Sequence, residues 1–197
     1  MTQSTLYTER LQLVPLSGAH LELEIALDAD QEVMRYLTGR ALSRAEVEHA
    51  HQRRIAAARE VSGLGFWAGF AAGEFVGWWI LQPPHGPDQP KVAGEADLGY
   101  RLMRRHWRHG YASEGARELI RYGFDDLGLN RIFGQTMAAN TAARATMSAA
   151  GLSHVRAFIS GPYDDLVPGA EQGEVEYEIT RSTWQRNRAA GTSGVPQ

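Results

Sequence analysis

The run Asp97-Leu98-Gly99-Tyr100-Arg101-Leu102, followed by Met103-Arg104-Arg105-His106-Trp107-Arg108-His109-Gly110-Tyr111-Ala112-Ser113-Glu114-Gly115, decides how this chain is read. Its first six residues are an extended run, part of a strand expected over Gly94 to Met103. From Ala112 to Leu127, the residues Ala116, Leu119, Ile120, Gly123, Phe124 and Leu127 fall at i, i+3, i+4 spacing and form one face of a helix. Between them lies a basic turn containing a glycine. The first N–H groups of a helix have no internal partner, and the helix dipole favours negative charge there. A strand, a basic turn and a helix start therefore make a pocket for a polyphosphate. The backbone N–H groups of Arg108 to Ser113 would hold it. Gly110 lets the backbone approach, Ala112 and Ser113 are too small to block it, and Arg104, Arg105 and Arg108 add positive charge. His106 and His109 shape the loop. The two short phosphate patterns, G-x-G-x-x-G and G-x-x-x-x-G-K-[ST], are both absent. A solvated basic turn is the plain alternative.

Working outward, Arg10 to Leu16 reads as a first strand. Ser17 caps a helix through Leu27, and Ser43-Arg44-Ala45-Glu46 fits a capping box for a second helix to about Glu60. Gly65 to Ala72 and Phe75 to Leu81 form an aromatic hairpin across Gly73-Glu74. Its residues Phe66, Trp67, Phe70, Phe75, Trp78 and Trp79 read as core, with some available to line a pocket. Pro83 to Pro90 is a proline-rich loop. After the central helix, which Gly128 ends, come a strand from Arg131 to Met137 and a helix from Thr141 to Ala150 that Gly151 stops. Val155 to Ile159 and Val175 to Thr180 are the last strands. The expected fold is α/β, a mixed and mainly antiparallel central sheet flanked by helices. It forms a single domain over residues 1–186, with a disordered tail from Asn187 to Gln197.

A chain of 197 residues with 43% hydrophobic content is long enough for one well-buried core. The net charge of −3 supplies no global basic field for nucleic acid. The absence of cysteine excludes disulfides, thiolate metal sites and a cysteine nucleophile. No signal peptide or membrane-length apolar run is seen, so a cytoplasmic location is expected. The seven histidines show no metal-ligand spacing such as H-E-x-x-H, and no serine sits in a G-x-S-x-G elbow. No metal is expected.

Trp107-Arg108-His109-Gly110-Tyr111-Ala112 resembles the acyl-CoA loop [Q/R]-x-x-G-x-[G/A] of the GNAT superfamily of N-acyltransferases, with Trp107 where Gln or Arg is usual. W-x-x-G-Y-A-S-E is similar to the RimJ/RimL-like branch, as is the opening Thr8-Glu9-Arg10-Leu11-Gln12-Leu13. The element order matches that fold from Thr8 to Trp184. Asn140-Thr141-Ala142-Ala143-Arg144 to Gly151-Leu152 resembles the family's N-x-x-S…G-F segment. Here Ala143 replaces the serine proposed as an acid in some relatives, and Leu152 replaces the phenylalanine.

The resemblance implies acetyl-CoA as co-substrate and direct attack of a primary amine on its thioester. The acceptor would be a protein N-terminal α-amine or a small-molecule amine. The pantetheine would lie beside Leu102 and Met103, and the backbone N–H of Met103 would stabilise the oxyanion. The full cofactor set is Leu102, Met103, Arg104, Arg108, His109, Gly110, Tyr111, Ala112, Ser113, Asn140 and Arg144. Asn140 would contact the pantetheine arm besides capping the helix from Thr141. Arg144 is a candidate contact to the nucleotide.

An alkyl ammonium with a pKa near 10 is not a nucleophile, so the reaction needs a base. Asp97 and Glu95 share a strand face and are the candidates, directly or through water. Asp97 is preferred, because it stands two residues before Gly99-Tyr100, where the branch carries Glu. The acidic segment between Ile159 and Val175, with Asp164, Asp165, Glu171 and Glu174, is expected to shape the acceptor site for a cationic amine. A non-catalytic acyl-CoA-binding module remains the alternative, and a homodimer is left open.

Overall fold

Apolar residues run almost without a break from 65 to 71 and from 75 to 81, so both faces of the sheet demand cover. The computed structural model describes residues 3–86, 88–159 and 167–192. In chain order the elements are β1 (Leu6–Tyr7), β2 (Gln12–Pro15), α1 (Leu21–Asp28), α2 (Gln31–Met34), α3 (Arg44–Ala57), β3 (Gly65–Ala71), β4 (Glu74–Gln82) and β5 (Glu95–Leu102). They continue with α4 (Tyr111–Asp125), β6 (Arg131–Met137), α5 (Thr141–Ala149), β7 (Ser153–Phe158), β8 (Glu174–Thr180) and α6 (Arg181–Thr192). The strands form one sheet of order β1-β2-β3-β4-β5-β6-β8-β7. β5 and β6 are parallel, and the other neighbours pair antiparallel.

On one face Trp79, Leu81, Ala96, Leu98, Leu102 and Ile132 pack with Ala116, Leu119, Ile120 and Phe124 of α4. On the other, Phe66, Ala68, Trp78 and Ile80 meet Leu16 and Leu27. The period-2 and period-3.6 patterns are thus satisfied together. α4 lies tight on β4 because position 115 has no side chain. A Cβ on Gly115 would stand 2.5 Å from the Trp79 indole. The same indole donates Nε1–H to the Ala112 carbonyl at 3.2 Å, so Trp79 fixes where the N-terminus of α4 points.

The mixed, mainly antiparallel sheet flanked by helices is the expected fold, with differences at the edges. The first helix enters through a one-turn 3-10 helix, Gly18–His20, and α2 was not foreseen. Asp30 starts α2 by accepting from the Glu32 N–H at 2.9 Å. α3 stops at Ala57 rather than near Glu60. The tail expected to be disordered from Asn187 is helical as far as Thr192. Its signals were Thr180, whose hydroxyl accepts from the Thr183 N–H at 3.3 Å, and Trp184, which packs on Phe124 with ring centroids 5.4 Å apart. Among the described residues no helix is long and apolar enough to cross a membrane.

Candidate active site

β5 and β6 begin side by side and then part. Their register is Glu95–Arg131, Ala96–Ile132 and Asp97–Phe133, and there it ends. β5 continues to pair with β4 as far as Leu102, while β6 continues with β8 as far as Met137. A V-shaped gap therefore opens in the sheet, with Asp97 and Phe133 at its apex.

Strand alternation decides which backbone groups face this gap. The Met103 N–H donates to the Val76 carbonyl of β4 at 2.9 Å. In an antiparallel pair the groups of successive residues point alternately to either side. Residues 97, 99 and 101 thus share the direction of Met103, and Leu98, Tyr100 and Leu102 face the gap. Two contacts agree. A Cβ on Gly77 of β4 would meet the Arg101 carbonyl oxygen, and one on Gly134 of β6 would meet the Leu98 carbonyl oxygen. This corrects the reading of Met103 as oxyanion donor, because its N–H is already spent on β4. The sequence could not supply that parity, which depends on the register with β4. Tyr100 and Leu102 present the N–H groups that line the gap. The Leu102 carbonyl also faces away from β4 and accepts from Trp107 Nε1 at 2.9 Å.

At the mouth of the gap stands the N-terminus of α4. Gly110 is its N-cap with φ of 81°, a left-handed conformation natural to glycine, and no side chain caps the helix. Arg108 also has positive φ, 63°. A non-glycine residue held there costs about 1–3 kcal/mol, a strain concentrated at functional loops. Ser113 Oγ donates to the Gly110 carbonyl at 3.0 Å. The N–H groups of Tyr111, Ala112 and Ser113, orphans of the first turn, are thereby gathered around an uncapped helix start. Arg104, Arg108 and His109 are exposed beside it. Among the described residues Arg104 and Arg108 have no ion-pair partner, whereas Arg105 is paired with Glu74 at 2.9 Å. These groups fit a pyrophosphate: donors without acceptors, free positive charge, and no side chain at position 110.

A brace from the start of the chain holds this loop, and the sequence reading missed it. Arg10 Nη1 donates to the His109 carbonyl at 2.9 Å. Glu114 accepts from Arg10 N at 2.9 Å, from Arg10 Nε at 2.7 Å and from the Thr8 hydroxyl. The Arg10 guanidinium also lies 4.7 Å above the Tyr111 ring. Burial would raise the Glu114 carboxyl, but the Thr8 and Arg10 hydrogen bonds outweigh it and hold its pKa low. The signals were Thr8, Arg10 and Glu114 themselves, though nothing in the sequence joins partners about a hundred residues apart.

Asp97 lies on the opposite face of the sheet from α4. Its side chain is only 14% exposed. Burial lifts its pKa from near 3.8 to about 7 against the amide donors of Gln82 and Gln89, with Glu176 and Asp88 adding negative charge nearby. Glu95 behaves differently. It pairs with Arg131 Nη1 at 2.9 Å, and Arg131 is further held by Glu176 and Glu178. Gly99, between Asp97 and Arg101 on this face, makes room for the side chain of its partner Ile80, whose Cγ2 lies 2.8 Å from where a Cβ would stand.

Asn140 caps α5, accepting from the Ala143 N–H at 3.1 Å. Arg144 turns back to donate to the Ala138 carbonyl at 3.1 Å and to the Tyr177 hydroxyl at 3.4 Å. Those bonds leave it tied to α5 and β8 rather than extended toward a nucleotide. Tyr100 Oη donates to the Ala143 carbonyl at 3.1 Å, and burial raises its pKa, so the phenol stays protonated.

Two cavities flank the β4–β5 connection on the Asp97 face. One, of ≈ 330 Å³, is lined by Asp88, Glu95, Arg131, Phe133, Arg156 and Glu176 among others. The other, of ≈ 410 Å³, is lined by Phe66, Gln82, Pro83, Pro84, His85 and Val92 among others. Below them a charged network joins α1, α3 and β5. Glu24 is hydrogen-bonded to His51 and Arg54, and Asp28 to Arg101. Both carboxylates are fully buried, and such charges are tolerated in a core only when paired. Their i, i+4 spacing, on the helix face away from the exposed Glu22, was a signal left unread. Of the acidic segment expected to shape the acceptor site, Asp164 and Asp165 lie outside the described residues. Glu171 sits in an exposed one-turn 3-10 helix, and Glu174 opens β8.

The acetyltransferase (GNAT) domain family matches residues 10–153. The FsC-acetyl coenzyme A-N(2)-transacetylase of Aspergillus fumigatus is 46% identical over 187 residues, covering 93% of this chain and 79% of that protein. Spermidine N-acetyltransferase from Vibrio cholerae, solved with CoA and spermine, superposes with a TM-score of 0.72 at 17% identity, covering 90% of this chain and 99% of that one. RimL, the ribosomal L7/L12 α-N-protein acetyltransferase solved with coenzyme A, gives 0.74 at 15% identity, covering 89% and 97%. At those identities the two structures speak for the fold. With the family matched over most of its length and a relative at nearly half identity, this chain belongs to the GNAT acetyltransferase family.

Proposed function

We propose that this acetyl-CoA-dependent N-acetyltransferase moves the acetyl group to a primary amine by direct attack, with Asp97 as base and the Tyr100 N–H as oxyanion donor. The carrying observation is the gap between β5 and β6, with an uncapped helix start at its mouth and a buried carboxyl at its apex. Acetyl-CoA is the co-substrate. The residues offered to its pyrophosphate are the N–H groups from Arg108 to Ser113, with charge from Arg104 and Arg108. The N–H of Leu102 faces the pantetheine path.

On the opposite face Asp97, as carboxylate, takes a proton from the acceptor ammonium. The freed amine nitrogen forms a bond to the thioester carbonyl carbon, and the negative charge on its oxygen is met by the Tyr100 N–H. The C–S bond then breaks, and the leaving thiolate takes up the proton that the attacking nitrogen must still lose to become the amide. Ala143 has no proton to give. Three residues of strand separate Asp97 from Tyr100, about 10 Å of rise, more than one water spans, so a short chain of waters carries the proton from the amine to Asp97. The base preference for Asp97 over Glu95 rests on Glu95 being committed to Arg131.

The acceptor reading extends from the Aspergillus relative, whose name assigns transfer to an N(2) nitrogen. An amine on a small molecule is therefore favoured over a protein N-terminus. The W-x-x-G-Y-A-S-E wording supports placement in the RimJ/RimL-like branch. Thiol release from acetyl-CoA, screened against amino acids, polyamines and peptide α-amines, tests this. Amine-dependent release with a matching acetylated product is expected. Acetyl-CoA binding without release for any amine class would instead mark a binding module.

A further inference from the structure

Asp97 sits at the bottom of its face, and a base must pass its proton on before the next turnover. We propose that His85 is the outlet, a positioning and relay residue that carries the proton between Asp97 and solvent; the inference rests on the reading of Asp97 as base. His85 Nδ1 lies 3.5 Å from Asp97 Oδ2, and the two side chains differ sharply in exposure, 57% against 14%. The imidazole therefore connects a buried carboxyl with water. It also lines the ≈ 410 Å³ cavity between α3 and the β4–β5 connection, which supplies a route outward.

The neighbours of His85 set its tautomer. Gln82 Nε2 is 2.8 Å from Nδ1 and 3.2 Å from Nε2. An amide nitrogen only donates, so its shorter contact makes Nδ1 the acceptor and leaves the ring proton on Nε2. Gln82 also opposes the effect of burial on Asp97, lowering its pKa, so one amide acts on both groups. Gln89 holds the other side. Its Oε1 accepts from His85 N at 2.9 Å and Gly86 N at 3.0 Å, and its Nε2 donates to Gln135 Oε1 at 2.8 Å. The charged groups facing Asp97 from the neighbouring segments are Glu176 of β8 and Asp88 of the β4–β5 connection. Burial keeps the His85 pKa below its usual value, so the ring is neutral and able to accept.

The step is a proton transfer with no change of oxidation state. The acceptor ammonium gives its proton to Asp97. Asp97 Oδ2 passes a proton to His85 Nδ1, a small rotation of the exposed ring releasing Nδ1 from the Gln82 amide and closing the 3.5 Å separation. His85 Nε2–H releases its proton to water, and exchange with solvent restores the starting tautomer. Nothing else is consumed.

The test uses His85→Ala and His85→Gln, with Asp97→Asn alongside. Each is assayed with acetyl-CoA and the fastest acceptor among spermidine, free amino acids and an alanine-terminated peptide, with and without added imidazole. Thermal melts confirm folding, and carbon-13 titration of Asp97 reads the carboxyl without any acceptor. Both His85 variants should lose about tenfold or more in kcat, less than the roughly 10²–10⁴-fold expected for loss of the base. Imidazole should restore His85→Ala and leave Asp97→Asn unchanged, and the Asp97 titration should shift when His85 is removed. His85 variants within twofold of wild type, or a loss that imidazole does not restore, would overturn the relay. If Asp97→Asn itself keeps the wild-type rate, the base assignment fails first.

Discussion

Asp97→Asn perturbs one buried carboxyl and should have opposite effects on stability and rate. The pKa is raised in the folded chain from near 3.8 to about 7, with burial as the first cause. Folding therefore favours the protonated form. The stability associated with it is complete below about pH 4 and is lost as pH rises toward 7. Each unit is worth about 1.4 kcal/mol, so the full shift is roughly 4 kcal/mol, an upper bound. Asparagine keeps the shape and never ionises. Urea unfolding should show the variant more stable than wild type at pH 8, by up to about 4 kcal/mol, with little difference at pH 4. Turnover should move the other way. At pH 8 the wild-type base is ionised while an alkyl acceptor is still mainly ammonium, and kcat/KM should fall by about 10²–10⁴-fold in the variant. The deficit should narrow below pH 7, where the wild-type carboxyl is itself protonated, and again near the amine pKa. A variant whose pH–rate profile overlays wild type, or one less stable than wild type at pH 8, would refute the assignment.

Other consequences are more local. Glu95→Gln should leave kcat within a few-fold of wild type and cost about 1 kcal/mol or less in urea unfolding, because Glu95 serves the Arg131 ion pair; a loss matching that of Asp97→Asn would transfer the base role. Arg10→Ala should raise the KM for acetyl-CoA several-fold with little change in kcat at saturation, since Arg10 braces the His109 carbonyl and Glu114; steady-state kinetics with unaltered KM would remove the brace from the account. Gly115→Leu forces a side chain into the Trp79 indole and should destabilise by about 1–3 kcal/mol or more in thermal unfolding; a neutral result would mean that α4 is not pinned on Trp79.

The parts of this molecule legible in its sequence are those encoded over short distances. The apolar face of α4, the Ser43 capping box and the aromatic hairpin of β3 and β4 depend on neighbours within a turn or a hairpin, and the structure places them accordingly. The strand–turn–helix at Gly110 was readable for the same reason. Hidden features depend on register or on partners distant in the chain. The direction of the Met103 N–H follows from its pairing with Val76, which no pattern within β5 reveals. The Thr8–Arg10–Glu114 brace joins the first strands to α4, and the His85–Asp97 contact depends on how a proline-rich connection folds back over β5. Glu95 and Asp97 look equivalent in sequence at i, i+2. They are told apart by Arg131, which arrives from the parallel strand β6.

The central claim is that the uncapped start of α4 receives the pyrophosphate of acetyl-CoA, and calorimetry of acetyl-CoA binding to Gly110→Asp tests it most directly. Position 110 has φ of 81°, which aspartate tolerates better than most residues, and a Cβ there has its nearest neighbour, Arg10 Nη2, at 3.3 Å. The variant should therefore fold, as its melting temperature will show, while placing a carboxylate where phosphate must lie. The account predicts a loss of acetyl-CoA affinity of at least about tenfold, the equivalent of about 1.4 kcal/mol. A folded Gly110→Asp protein that binds acetyl-CoA as tightly as wild type would contradict it.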